Sequence, residues 1–139
     1  MTRSQTEIVE DLNRFAPPCD DWDKLQMLLD ELWRDGNPSA AIPQMLGVFE
    51  RYPANEDGCG VFWSMLHGLE TLAGYEPHLL QSVQTSPSEF GVMMLGRIRN
   101  ANIDTIGSVS IVSVLRATCE SEAACERVRK VANSFASPR

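Results

Sequence analysis

Histidines, cysteines and closely spaced carboxylates are the side chains that could carry catalysis or bind a metal, and this chain offers few arrangements of them. Its two histidines are His67 and His78, and no Cys-x-x-Cys, His-x-x-x-His or His-Glu-x-x-His spacing occurs. A zinc site would therefore lack its usual ligand pattern. His67 and Glu70 resemble one arm of a carboxylate metal site, but such sites use Glu-x-x-His twice, with two further glutamates. The sequence predicts no metal, no cofactor and no enzymatic activity.

The cysteines are irregularly spaced, at Cys19, Cys59, Cys119 and Cys125. In a cytosolic chain this pattern is typical of free thiols, with disulfide pairing as the alternative. Residues 58–60 read Gly-Cys-Gly but lack the Lys-Ser/Thr that a phosphate-binding loop requires. Neither feature predicts a nucleotide site or a reactive cysteine.

A mixed aromatic and polar stripe is formed by Trp63, His67 and Glu70, which follow one another at i, i+4 and i+7. That spacing places all three along one edge of a helix. The favoured interpretation is structural: His67 donates to Glu70 or to a neighbouring helix and so sets helix–helix register. The alternative is direct contact with a partner. Arg97, on a later helix, is a candidate ion-pair partner for Glu70.

The helix that must carry this stripe is predicted over residues 61–73, with Phe62, Met65, Leu66, Leu69 and Ala73 on its apolar side. Apolar residues over so much of its surface indicate a helix packed on two sides, at the centre of a helical stack. Asp20 or Asp21 is predicted to cap the helix that begins at residue 22. The other predicted helices cover residues 7–15, 22–34, 39–52, 77–83, 86–100 and 124–135.

Residues 106–117 are ambiguous. Their β-branched, partly alternating sequence favours a strand, whereas Ile106, Val109 and Val112 also fit a helix. Because every neighbouring segment is predicted to be helical, we interpret this one as a helix as well.

A weak repeat supports a stacked arrangement of helices. Pro43 and Pro53 are ten residues apart, as are Pro77 and Pro87, and the two pairs begin 34 residues apart. This period is typical of α-solenoids built from helix pairs, with coincidence as the alternative for only two copies. The predicted fold is all-α: a single domain over residues 1–139, with about seven helices stacked as antiparallel pairs in a HEAT-like α-solenoid. Residues 1–21 form an N-terminal lead-in segment and residues 134–139 a frayed tail.

Composition and charge narrow the classes of function. Apolar residues make up 43% of the 139 residues, which is typical of a globular domain. No apolar run reaches the ~18 residues of a membrane span, and no signal peptide is recognisable, so we expect a cytoplasmic protein that does not enter a membrane. Residues 1–76 hold 14 acidic against 5 basic side chains, whereas residues 77–139 hold 5 against 7. The acidic half disfavours nucleic acid and suits a basic partner, with solubility alone as the alternative explanation.

Two segments together resemble a known family. Phe-Trp-Ser-Met-Leu-His-Gly-Leu-Glu at residues 62–70 and Met-Leu-Gly-Arg-Ile-Arg-Asn at 94–100 are similar to the helical immunity proteins of bacterial polymorphic toxin and contact-dependent inhibition systems, of the immunity protein 30 type. That family combines a His-x-x-Glu pattern with a Leu-x-Arg-Ile-x-Asn pattern. The resemblance covers residues 22–116. It assigns the motif positions, with a structural role, to Trp63, His67, Glu70, Arg97 and Asn100.

The resemblance implies a protein that binds the C-terminal domain of a toxin and blocks its active site. Many such toxins are nucleases with basic clefts, for which an acidic surface would act as a substrate mimic. The candidate toxin contacts are Asp20, Asp21, Asp23, Asp30, Glu31, Asp35, Glu56 and Asp57. The main alternative is an adaptor α-solenoid that binds a non-toxin partner such as a secretion-system subunit. An enzyme with a site around His67 is the least favoured reading.

Overall fold

The structure, a computed structural model, describes residues 3–138 and is mostly helical. Within these residues it contains eight α-helices, two short 3-10 turns and one antiparallel hairpin. The helices are α1 (Gln5–Arg14), α2 (Trp22–Asp35), α3 (Ile42–Arg51), α4 (Val61–Glu70), α5 (Tyr75–Thr85), α6 (Glu89–Asn100), α7 (Ile111–Cys119) and α8 (Glu126–Ala136), and the hairpin strands are β1 (Thr105–Ile106) and β2 (Val109–Ser110). The all-α prediction is confirmed at this level. None of the helices in the described part of the chain has the length and apolar composition needed to cross a bilayer.

Side-chain caps explain where several helices begin. Ser4 and Glu7 form a reciprocal capping box at α1. Asp21 accepts from the backbone N–H of Lys24 and caps α2, as the sequence predicts. Ser88 caps α6 by accepting from the N–H of Gly91, so the helix begins at Glu89, three residues after the predicted start at residue 86.

The described chain divides into two compact units. Unit 1 contains residues 3–52 and 56–75, and unit 2 contains residues 53–55 and 76–138. The prediction of a single domain stays a prediction.

Unit 1 consists of α1 to α4 around an apolar core. Four leucines of α2 are buried against α1 and α4, in the pattern that their i, i+3, i+4, i+7 spacing predicts. Five aromatic rings adjoin this core in successive tilted or edge-on contacts, with centroids 5.1–5.9 Å apart: Phe15, Trp22, Phe49, Tyr52 and Phe62. Arg51 ties down the end of α1 by donating to the backbone carbonyls of Leu12 and Phe15. Burial lowers the pKa of this guanidinium.

Unit 2 packs α8 against α6 and α7. Gly96 allows α6 and α8 to approach closely, because a Cβ at this position would overlap the Phe135 ring. Arg99 is buried and donates to the carbonyls of Phe135 and Ser137. Residues 134–136 therefore belong to α8 and are held by hydrogen bonds, so the predicted frayed tail is wrong for them, and Arg139 lies outside the described residues.

The central helix α4 is shorter than predicted. It ends at Glu70, and Ala73 is exposed rather than part of the core. The Thr71 hydroxyl donates to the carbonyl of Gly68 at 2.6 Å, and the Thr71 N–H bonds to the same carbonyl. This local bonding tightens the last turn and competes with continuation of the helix.

The helix predicted over residues 106–117 is correct only for its second part. Residues 105–110 form the hairpin, with Thr105 paired to Ser110 and Ile106 to Val109. The two-residue loop contains Gly107 at φ +60°, a conformation that glycine adopts at little cost. Ser110 then caps α7 by accepting from the N–H of Ser113. The β-branched pattern therefore governs the first half of the segment and the helical spacing the second.

Candidate functional site

Large apolar side chains are exposed mainly on two helices of unit 1. Met27 is 64% exposed and Trp33 38% exposed on α2, and Trp63 is 40% exposed on α4. Exposed aromatic residues and methionine gathered on one surface are typical of protein-interaction sites. In the sequence, Leu25, Leu28, Leu29, Leu32 and Trp33 follow i, i+3, i+4, i+7 and i+8, which predicts that Trp33 belongs to the apolar side of α2. Its position at the end of this series is the one sign that it lies at the border of the apolar side.

A groove separates these two helices. It has a volume of about 210 Å³ and is lined by Gln26, Leu29, Asp30, Trp33, Ser64, Met65 and Gly68. Leu29 and Met65 are almost fully buried and provide an apolar floor. Trp63 and His67 precede Ser64 and Gly68 in the sequence of α4, and on α2 Met27 lies one turn and Asp23 two turns from Asp30. We call the groove together with these four neighbours the α2/α4 face.

Gly68 allows the Trp33 indole to lie directly against α4. A Cβ at residue 68 would come within 2.9 Å of Cζ2 and 3.0 Å of Cη2 of that ring. The benzene edge of the indole thus lies against α4, while Trp33 as a residue remains 38% exposed. The ring is held in place and still presents surface to solvent.

The acidic candidates fall into distinct environments. Asp21 caps α2, Asp57 caps the turn at residues 58–60, and Glu56 accepts from the N–H of Gly58. These three carboxylates are engaged by local backbone groups. Their first role is to shape the chain.

Two further candidates are held by arginines. Glu31 is half-buried, and its carboxylate accepts hydrogen bonds from Nε and a terminal nitrogen of Arg3, at 2.9 and 3.0 Å. The Glu31 and Asp11 carboxylates hold the pKa of Arg3 above its usual range. Asp35 pairs with Nε of Arg34 at 3.0 Å. Glu31 therefore ties α2 to the start of the chain and is less available to a partner.

The remaining candidates, Asp20, Asp23 and Asp30, are exposed. In the described part of the chain none of their side chains forms an ion pair. Asp30 lines the groove, where its Oδ1 accepts from Nε2 of Gln26 at 3.0 Å. Asp30 is thus the candidate that the structure brings together with the exposed tryptophan.

The Trp63–His67–Glu70 stripe lies at the surface of α4. The Trp63 and His67 rings are 6.3 Å apart between centroids, and Nδ1 of His67 is 3.8 Å from Oε1 of Glu70. The His67 side chain is 62% exposed and that of Glu70 21%, and the structural role predicted for the stripe stays a prediction. Arg97 and Asn100 are exposed on α6. The proposed Glu70–Arg97 ion pair stays a prediction.

Elsewhere in the described residues, the cysteines, the carboxylates and the second groove form weaker candidates for a functional site. All four cysteines are free, and no three His, Cys, Asp or Glu side chains between residues 3 and 138 come together in a way that could hold a metal ion. Unit 2 has a larger groove of about 350 Å³ between α5, β2 and α7, lined by Val83, Gln84, Pro87, Val109, Ser113, Val114, Ala117, Thr118 and Ser121. No charged side chain lines that groove.

Comparison with known proteins finds no matching family, no similar curated protein and no similar solved structure. The α2/α4 face therefore stands on its own geometry as the candidate site.

Proposed function

We propose that this protein is a protein-binding module, and specifically an immunity protein that binds and neutralises a cognate bacterial toxin domain delivered by contact-dependent inhibition. The observation that carries the proposal is the α2/α4 face, where Trp33 and Met27 are exposed on the same helix as the unpaired carboxylates Asp23 and Asp30, and Trp63 is exposed on α4. In this proposal the helices pack as antiparallel pairs in a HEAT-like stack, the arrangement that the proline repeat predicts.

The aromatic part of the face would supply most of the binding energy. Tryptophan is enriched among the few interface residues that dominate affinity, because it buries a large area with little loss of rotamer entropy. Trp33 is already held against Gly68, so little further ordering would be needed when a partner covers it.

The acidic part of the face would determine which class of partner binds. Asp23 and Asp30 belong to the half of the chain that holds 14 acidic against 5 basic side chains. Such a surface attracts a basic protein and repels nucleic acid. A nuclease toxin has a basic substrate cleft, and the α2/α4 face would occupy it as a substrate mimic in the cytoplasm of the protected cell.

The experiment begins with this protein as bait in lysate of its source strain, with captured proteins identified by mass spectrometry. We expect the C-terminal fragment of a large secreted protein, whose toxicity co-expression of this protein abolishes. Capture of an intracellular complex without a toxin would overturn the immunity proposal and favour the adaptor alternative.

Charge reversal then tests the face. We expect Asp23→Lys with Asp30→Lys to weaken binding of the captured toxin domain by about tenfold or more, because attraction becomes repulsion. The matched control is Glu120→Lys with Glu122→Lys, which changes the net charge equally at two exposed positions of unit 2. Equal weakening by both pairs, with unchanged circular dichroism, would show that net charge matters and that this face does not.

The adaptor alternative rests on the same face, since exposed tryptophans and carboxylates would also suit a secretion-system subunit. The two proposals differ in what the gene neighbourhood encodes. A large secreted protein with a variable C-terminal domain immediately upstream favours immunity, and a secretion operon favours the adaptor.

A further inference from the structure

The groove of the α2/α4 face combines three recognition elements in a small volume. Asp30 and Trp33 are one helical turn apart on α2, so the carboxylate and the indole border the same opening. Below them, Leu29 and Met65 form an apolar floor. An anion, a flat aromatic surface and an apolar floor together match a side chain that has a cationic planar head and an aliphatic stem.

The Asp30 carboxylate retains acceptor capacity. Its Oδ1 accepts one hydrogen bond from Gln26, and a carboxylate has about four acceptor sites in all. Arg34, one turn further along α2, could neutralise Asp30 but instead pairs with Asp35 at 3.0 Å. The charge at the groove is therefore uncompensated by any ion pair within residues 3–138.

The exposed surface of Trp33 is similarly available. Within the same residues no other aromatic ring packs on this indole, although rings do pack on Trp22 and Trp63. The benzene edge of the ring lies close to Gly68. A tryptophan face beside a carboxylate is a favourable place for a cation, because the ring quadrupole and the anion attract it together.

We propose that this groove binds a single arginine side chain of the partner, an inference that rests on the proposed function in taking the arginine from a bound protein. The guanidinium stacks on the Trp33 indole and donates to Asp30, and the aliphatic stem lies over Leu29 and Met65. The groove volume of about 210 Å³ is below the ~300–1,000 Å³ typical of small-molecule pockets, which suits one side chain.

Arginine fits this site better than lysine does. Its planar head stacks on an indole and pairs with a carboxylate through two parallel hydrogen bonds, and it is more weakly hydrated than an ammonium group. In a nuclease toxin, an arginine of the substrate cleft is the residue that a carboxylate on an aromatic support would neutralise.

The test uses N-acetyl-L-arginine amide as the probe and the full-length ¹⁵N-labelled protein. We expect saturable shifts of the Trp33 indole N–H and of the Gly68 amide, with a Kd on the order of 10 mM, as one exposed ion pair plus one cation–π contact would give. N-acetyl-L-citrulline amide has the same shape without the charge and should bind at least about fivefold more weakly. Equal binding of the citrulline or the lysine amide would overturn the arginine assignment.

Two variants localise the binding. Asp30→Asn should weaken the arginine probe at least about fivefold, whereas Glu10→Gln removes the same charge from α1, outside the α2/α4 face, and should leave binding within about twofold. Both positions are exposed, so both variants should fold. If Asp30→Asn binds the probe as the unaltered protein does, the groove is not the site.

This outcome is separable from that of the proposed function. If a toxin domain is captured from lysate but the probe does not bind at Trp33, the arginine proposal is overturned and the immunity proposal stands. Probe binding at Trp33 together with capture of an intracellular complex and no toxin would do the reverse.

Discussion

At the scale of single residues, Glu89 connects three segments of unit 2. One of its oxygens accepts from the backbone N–H of Asn55 at 2.7 Å, and the two oxygens accept from Nε and a terminal nitrogen of Arg127 at 2.6 and 3.0 Å. The hydrogen bond from Arg127 is the largest of the interactions that hold the pKa of Glu89 below its usual range, and the bond from Asn55 adds to it. Stability from this group is therefore fully present above the ordinary glutamate pKa and is lost as the pH falls through the lowered one.

The expected consequence is a pH-dependent loss of stability in Glu89→Gln. At pH 7 the variant should be less stable by about 1 kcal/mol, a figure that allows for solvent screening of the exposed Arg127. The difference should shrink as the pH falls below the ordinary glutamate pKa and vanish below the lowered one, where both proteins carry a neutral side chain at residue 89. Urea unfolding over a series of decreasing pH values measures the difference.

Glu126→Gln is the matched control for this pH experiment. Glu126 pairs with Lys130 at 3.3 Å, but both side chains are more than three-quarters exposed. We expect no measurable change at any pH of the series. A difference for Glu89→Gln that stays constant as the pH falls would contradict the assignment to its charge.

The second residue-scale prediction concerns Gly96. Its replacement by alanine should destabilise the protein by about 1–3 kcal/mol, because the new methyl group would overlap the Phe135 ring. In a Phe135→Ala background the same change should cost little, since the ring is gone. Urea unfolding of all four proteins gives the coupling energy, and additive effects would show that Phe135 is not the obstacle.

At the scale of elements, the helix caps decide where the chain turns. Ser88 is only 8% exposed, and its hydroxyl accepts from the N–H of Gly91 at 2.9 Å at the start of α6. Because a buried donor would lose its partner, Ser88→Ala should destabilise the protein by about 1–2 kcal/mol in thermal unfolding.

Ser134→Ala is the matched control for the Ser88 cap. The Ser134 hydroxyl is exposed and bonds only to the carbonyl of Val131, within α8. We expect its loss to change the melting temperature by less than the error of the measurement. Equal effects of the two variants would show that the cap at α6 contributes nothing specific.

At the scale of the whole molecule, the charge is unevenly distributed along the chain. The net charge of −7 arises from an acidic first half and a slightly basic second half. If this asymmetry steers a basic partner, the association rate with the captured toxin domain should fall on the order of tenfold between about 20 mM and about 500 mM NaCl, with a smaller change in dissociation rate. Surface plasmon resonance measures both, and a salt-independent association rate would contradict steering.

Local sequence was sufficient for most helices. The spacing of leucines predicts α2 and its buried side, and Asp21 predicts its start, because helix amphipathicity and capping depend on residues within one or two turns. Local sequence failed where two local preferences compete. Thr71 ends α4 by bonding to its own helix, and the Gly107 turn converts an apparently helical segment into a hairpin before Ser110 starts α7.

For the candidate site as well, local sequence determined some features and the tertiary structure determined the others. The sequence by itself determined the helical class, the excess of acidic side chains in the first half and the absence of familiar metal or nucleotide motifs, since these follow from composition and short-range spacing. Only the tertiary structure decided which acidic side chains have hydrogen-bond or ion-pair partners within the protein and which are available to a binding partner. Arg3 engages Glu31 across 28 residues, and Gly68 supports Trp33 across 35, so that Asp30 is the carboxylate left beside an exposed ring. Such pairings depend on distances between helices, which no local pattern encodes.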